Sequence, residues 1–285
     1  MNTVKLANGV EMPLLGYGTM MMTPEETKTA VLEAIDLGYR NIDTAQAYYN
    51  EEGVGTALTE TTVPREDLFV TTKVWIASAG ETAAAKSIDE SLTKLQTNYI
   101  DLLLIHQPYG DYYGTWRAME KAYRDGKVRA IGVCNQDVTQ LIDFATFNEI
   151  APMVNQLETH VFNQQRAFRP YLAKFNTQSE GWSPLAQAPK ELAQQPTLVE
   201  IAQKYQKSPA QVALRFLVQD GVPVIPKSSH RSRMIENISI FDFALTDSEM
   251  DQVRSLDQET PRVFDFTNPQ MVEGLFQNFN LGNNH

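Results

Sequence analysis

Leu68-Phe69-Val70-Thr71-Thr72-Lys73 is an apolar, β-branched run that ends on a lysine. Ala83 to Leu95 follows, with Ile88, Ser91, Leu92 and Leu95 at helical spacing, and then comes Ile100-Asp101-Leu102-Leu103-Leu104-Ile105. Two strand-like runs separated by one amphipathic helix imply parallel strands joined by a crossover. The same alternation extends in both directions. Strands are expected over residues 14–18, 40–43, 68–73, 100–105, 130–133, 153–156, about 177–182 and 222–225. Helices are expected over 25–37, opened by Pro24 and stopped by Gly38, and over 83–95, 115–123 and 209–218. Eight such units in a chain of this size suit an α/β fold of the (β/α)8 TIM-barrel kind better than an open doubly wound sheet. Residues 4–12 read differently, as two short strands about Asn8-Gly9. That is a hairpin signal, and it would precede the barrel and plug one end.

The chain has 285 residues, of which 42% are hydrophobic and 9% aromatic, which excludes a disordered protein. No linker, repeat or charge run divides it, so a single domain over 1–285 is expected. No apolar run approaches the roughly 18 residues of a membrane span, and the first residues lack the basic and apolar blocks of a signal peptide. Cys134 is the one cysteine, so no internal disulfide forms. A reducing, cytoplasmic setting fits. The formal charge of −11 disfavours nucleic acid and anionic membranes as partners. His106, Cys134, His160, His230 and His285 show no zinc spacing, and no metal is expected. Gly16-Tyr17-Gly18-Thr19-Met20-Met21 lacks the third glycine of a dinucleotide fingerprint, and neither a phosphate loop nor a nucleophile elbow occurs.

In a βα barrel the chemistry sits at the C-terminal ends of the strands. Asp43 and Tyr48 follow the second expected strand, Lys73 ends the third and His106 follows the fourth. Singly, each has a bland reading: a cap, packing, a solvated strand end, a satisfied core histidine. Together they make a proton donor. A tyrosine hydroxyl ordinarily titrates near about 10, and a lysine ammonium beside it favours the phenolate. An aspartate would hold that lysine charged, and the pair is expected to lower the tyrosine pKa. The histidine can donate a hydrogen bond to a carbonyl oxygen. Such a set protonates a carbonyl oxygen while hydride reaches the carbon.

With those residues goes a series of ordered blocks: Leu15-Gly16-Tyr17-Gly18-Thr19, Gly38 to Ala45, Val70 to Trp75, Asp101 to His106, Gly126 to Val133, Trp182-Ser183-Pro184-Leu185 and Val224 to Ser228. Nearly end to end, the sequence resembles the aldo-keto reductase superfamily, and within it the bacterial 2,5-diketo-D-gluconate reductase group. The resemblance implies an NADPH-dependent reductase of small aldehydes, α-dicarbonyls or keto-sugars. It makes Tyr48 the general acid, Lys73 and Asp43 its modulators and His106 the orienting donor. It also implies cofactor contacts: Thr19; Asn135 and Gln156 on the nicotinamide carboxamide; Trp182 stacked on the ring; Ser183 and Leu185 at the pyrophosphate. Lys227, Ser228 and Arg233 would surround the 2′-phosphate, and Glu236 and Asn237 the adenosine. The residues themselves support the phosphate site, because Lys227, Arg231 and Arg233 gather three cations before an expected helix in an acidic chain.

Three departures from the family pattern stand out. Cys134 takes the place of a serine, Gln107 that of a frequent tryptophan, and Trp182 that of a tyrosine. Tyr17, Met20, Met21, Trp75, Gln107 and Tyr109 are expected around the substrate mouth. The aromatic tail from Arg262 to Phe276 would serve either as a lid or as a cover on the barrel helices. Two other functions fit the same barrel: a non-catalytic NADPH-binding regulator, and a Schiff-base aldolase using Lys73. A monomer is expected.

Overall fold

The computed structural model describes residues 2–281; Met1 and residues 282–285, with His285 and the two ends of the expected domain, lie outside the described residues. Strands β1 (Thr3–Lys5) and β2 (Glu11–Pro13) form the antiparallel hairpin expected about Asn8-Gly9, with Val4 opposite Met12. Leu6 and Met12 are buried, and Asn8 Nδ2 donates to Arg129 O at 2.8 Å. Arg129 lies just ahead of a barrel strand, so the hairpin closes the N-terminal face, opposite the strand ends that carry chemistry.

Seven parallel strands then run in sequence order: β3 (Tyr17–Gly18), β4 (Asn41–Asp43), β5 (Phe69–Val74), β6 (Leu102–Ile105), β7 (Ile131–Cys134), β8 (Val154–Glu158) and β9 (Gln178–Trp182). The eighth stave, expected over 222–225, is a bridging segment rather than a full strand. Val224 pairs with Leu15 on one side and with Gly181 on the other, and so closes the ring. Pro223 and Pro226 flank it and have no N–H to give to a ladder, which keeps it short. The (β/α)8 barrel is therefore complete.

Helices cover the outside, so the strands are buried on both faces and read as apolar runs. Leu102, Leu103 and Leu104 are wholly buried. The helix Pro24–Asp36 begins where expected, with Thr23 and Glu26 capping each other. The helix Glu51–Glu60 sits very close to its neighbours: a Cβ at Gly53 would stand 2.2 Å from Pro24 O, and one at Gly55 2.1 Å from Lys94 O. Asp101, the charge within an apolar run, accepts from Arg65 at 2.7 Å, Arg129 at 2.7 Å and the Val70 amide at 2.9 Å. It ties staves together rather than doing chemistry. No helix among the described residues is long and apolar enough to cross a membrane.

Candidate active site

Barrel register brings the polar strand ends to one face. Gly18 is opposite Asp43, Asp43 opposite Thr71, and Lys73 opposite Leu104. Tyr48 ends a short turn, Gln46–Tyr48, that is fixed from two sides. Gln46 accepts from the Trp75 amide at 3.0 Å and donates to Ser91 Oγ at 3.0 Å, while Asn50 donates to Thr19 O at 2.8 Å. Those contacts hold Tyr48 edge-on to His106, with ring centres 5.5 Å apart, and under the Lys73 ammonium, 5.3 Å from the ring centre.

Lys73 is fully buried. Its Nζ donates to Asp43 Oδ1 at 2.5 Å and to Thr44 O at 3.0 Å. Burial alone would neutralise it, but Asp43 and the neighbouring Tyr48 outweigh that and raise its pKa, so it stays an ammonium. Tyr48 departs from expectation. Burial pushes its pKa up to about 12, because desolvation of a phenolate exceeds the downward pull of Lys73, and Asp43 opposes that pull. Its hydroxyl is therefore a persistent donor. Burial and the Lys73 charge hold His106 well below its usual range, as a neutral imidazole.

Behind the tetrad lies a carboxyl that strand patterning does not single out. Glu180 in β9 is wholly buried; Gln156 Nε2 bridges it to the tetrad, donating to Glu180 Oε2 and to Asp43 Oδ2, each at 2.9 Å. Burial, followed by the Asp43 carboxylate, pushes Glu180 up to about 8 from 4.5. The sign follows from linkage. A carboxyl whose folded pKa is raised favours the fold fully below about 4.5, and that advantage is lost as pH rises towards 8. Glu180→Gln should thus be stabilising on the order of 2 kcal/mol at pH 7 and nearly neutral at pH 5. Calorimetric melts of both proteins across that range test it; a difference independent of pH would contradict it.

A cavity of about 400 Å³ opens above these residues. Among the expected site residues, Met20, Asp43, Tyr48, His106, Gln107, Asn135, Gln156, Trp182, Ser183, Leu185 and Lys227 line it. Lys73 lies beneath, and Thr19 is buried with its hydroxyl on Asp43 O at 3.0 Å. Trp75 and Tyr109 stand one layer back: Trp75 meets His106 edge-on at 5.1 Å, and both border a separate crevice. The expected 2′-phosphate and adenosine residues are spread over the loop and helix after the eighth stave. Arg233 is exposed on the helix Arg231–Ile238, Ser228 Oγ accepts from the His230 amide at 3.0 Å, and Asn237 is buried. Glu236 is engaged by the Ser208 hydroxyl. Gln156 is likewise occupied, with its amide hydrogens on two carboxyls and its oxygen facing Cys134 Sγ at 4.0 Å. No group of three or more metal-ligating side chains occurs among the described residues.

The tail is a lid. Val263, Phe264, Phe266 and Leu275 line the cavity, and Phe279 meets Trp75 at 4.8 Å. Its anchor is Glu158 at the end of β8. That buried carboxylate accepts from the amides of Arg262 at 2.5 Å, Val263 at 3.0 Å and Phe264 at 3.1 Å, and from His160 Nε2 at 3.0 Å. Burial pushes Glu158 up, but those donors win and hold it below the usual carboxylate range.

Known proteins share this architecture. The Aldo/keto reductase family matches residues 14–258. The glyoxal reductase of Bacillus subtilis (strain 168) is 47% identical over 260 residues, which span 90% of this chain and 94% of that protein. The methylglyoxal reductase DkgA of Escherichia coli (strain K12) is 41% identical over 90% of this chain and 93% of its own length. A Bombyx mori aldo-keto reductase solved in complex with NADP superposes with a TM-score of 0.87 at 33% identity, over 93% of this chain and 95% of that one. With a closed barrel, a lidded cavity and a match over nearly its whole length, the chain belongs to the aldo/keto reductase family.

Proposed function

We propose that this oxidoreductase uses NADPH to reduce the carbonyl group of small aldehydes, α-dicarbonyls or keto-sugars, with Tyr48 as the general acid. The observation that carries the reading is a neutral Tyr48 hydroxyl held beside a buried, permanently charged Lys73 on the wall of a lidded cavity. NADPH, when bound, supplies the hydride. His106, neutral, donates a hydrogen bond to the carbonyl oxygen and fixes its direction. Tyr48 gives its proton to that oxygen as negative charge develops there. An alkoxide is a far stronger base than a phenolate, so the transfer runs downhill even with the tyrosine near 12. Lys73 stabilises the phenolate left behind, and Asp43 keeps Lys73 charged and in place.

The residues on the wall suit a nicotinamide dinucleotide. Trp182 offers a half-buried aromatic face, Asn135 an amide at the end of β7, and Ser183 and Leu185 follow on the same wall. Lys227 stands exposed at the rim, where a phosphate would arrive. The Bombyx mori relative was solved with NADP, in keeping with this choice. A Schiff-base aldolase is disfavoured, since a charged Lys73 held by Asp43 and Thr44 O is no nucleophile. The enzyme would work in the cytosol, where a buried, single Cys134 stays reduced. The test is NADPH consumption, followed by absorbance, on adding methylglyoxal or glyoxal. Tight NADPH binding with no turnover of any carbonyl would favour the non-catalytic regulator instead.

A further inference from the structure

The amide of Gln107 has only one orientation that satisfies its neighbours, and that orientation leaves the Nε2 donor unpaired on a residue that lines the cavity. Trp182 sets it, because an indole N–H can only donate. That N–H lies 2.9 Å from Asn135 Oδ1, so the Asn135 oxygen faces Trp182 and its NH2 faces the other way. The NH2 lies 3.2 Å from Gln107 Oε1 and 3.5 Å from His106 O, two acceptors, which agrees. Asn135 is further fixed by its left-handed backbone, φ 59°. Gln107 therefore turns its oxygen to Asn135, and its Nε2 has no hydrogen-bond partner among the described residues. Gln107 lines the cavity beside His106 and Tyr48.

We propose that Gln107 is a specificity-determining residue whose Nε2 donates to the second, unreactive oxygen of a 1,2-dicarbonyl while His106 and Tyr48 engage the first. This rests on the carbonyl-reduction reading. The two donors come from adjacent residues at one strand end, as the two oxygens come from adjacent carbons. An acceptor-only carbonyl oxygen matches a bare donor. A hydroxyl oxygen in its place accepts too, but it must turn its own hydrogen away from the amide, so it is the weaker match. A simple aldehyde would leave the amide facing an alkyl chain, desolvated and unpaired, which is how polar sites reject analogues lacking the matching group.

The experiment compares kcat/KM for methylglyoxal, 2-hydroxypropanal and propanal in wild type, Gln107→Met and Gln107→Glu. Glutamate keeps the shape and the acceptor for Asn135 while removing the donor, so it separates donation from packing. NADPH binding, read by fluorescence, reports that each variant is folded. The methylglyoxal-to-propanal ratio should fall about tenfold in both variants, with a smaller fall in the 2-hydroxypropanal-to-propanal ratio. An unchanged methylglyoxal ratio in both variants overturns the assignment of Gln107 alone. An equal fall for 2-hydroxypropanal overturns the restriction to carbonyl oxygens. Absence of turnover of all three compounds by wild type would instead remove the carbonyl-reduction reading, and this inference with it.

Discussion

Tyr48→Phe should lower kcat for methylglyoxal by about 10²–10⁴-fold, the range that positioned general acids contribute, while NADPH still binds with near wild-type affinity. The substitution removes one hydroxyl and keeps the ring, which meets His106 at 5.5 Å and lies 5.3 Å from the Lys73 ammonium. Phenylalanine preserves those contacts, so the fold has little reason to change. What disappears is the proton. Water entering beneath the lid is the remaining acid, and it lacks both the fixed direction and the adjacent charge that stabilises the conjugate base. Because burial holds Tyr48 near 12, wild type keeps this group protonated across the whole neutral and mildly alkaline range. Any loss of turnover between pH 7 and 9 must then come from another group. Glu180, near 8 and joined to Asp43 through Gln156, is placed to cause it. Single-turnover rates decide the matter, since they isolate the chemical step from product release. A mutant that keeps more than about a tenth of the wild-type single-turnover rate would move the acid role elsewhere.

Much of this site is legible in the amino-acid sequence, for a physical reason. The tetrad sits at the ends of successive staves, and a parallel barrel carries such ends to one face whatever the helices do. Asp43, Tyr48, Lys73 and His106 are accessible in that way. The direction of the Tyr48 shift is not, because it depends on how completely the ring is desolvated, and three-dimensional burial is not written in strand spacing. Glu180 is hidden by its setting: in Gln178-Ser179-Glu180-Gly181-Trp182 a polar stretch conceals the one buried carboxyl. Glu158 is hidden because its partners are backbone amides over a hundred positions away in the tail, a contact no local pattern encodes. Trp75 and Tyr109 are expected at the mouth, yet the lid takes that surface and leaves them one layer back. The helices Val138–Phe147 and Asp247–Arg254 escape the apolar periodicity, although Asp137 with Gln140, and Thr246 with Glu249, are capping pairs at their starts.

NADPH should bind about 10²-fold more tightly than NADH, with Lys227 and Arg233 as the source of the difference. The two cofactors differ only by the 2′-phosphate, which a protein of charge −11 repels unless a local group of cations receives it. Of the three cations in the segment, Arg231 is already spent, paired with Glu33 at 3.2 Å and with Asp36 at 3.7 Å. Lys227 and Arg233 are exposed, and neither makes an ion pair with a carboxylate among the described residues. Two charge-assisted contacts to one phosphate would yield that hundredfold, and screening should erode it, because both cations face solvent. The measurement is the pair of dissociation constants in wild type, Lys227→Gly and Arg233→Ala, each at low and high salt. Each variant should lose NADPH affinity about tenfold while NADH affinity barely moves, and high salt should narrow the wild-type gap. Equal affinities in wild type, or variants that lose both cofactors alike, would return these residues to the role of solvated charges at a helix entrance. In that event the tetrad would be unaffected, since Asp43 is buried at the cavity floor with Lys73 beneath it, and both belong to other staves.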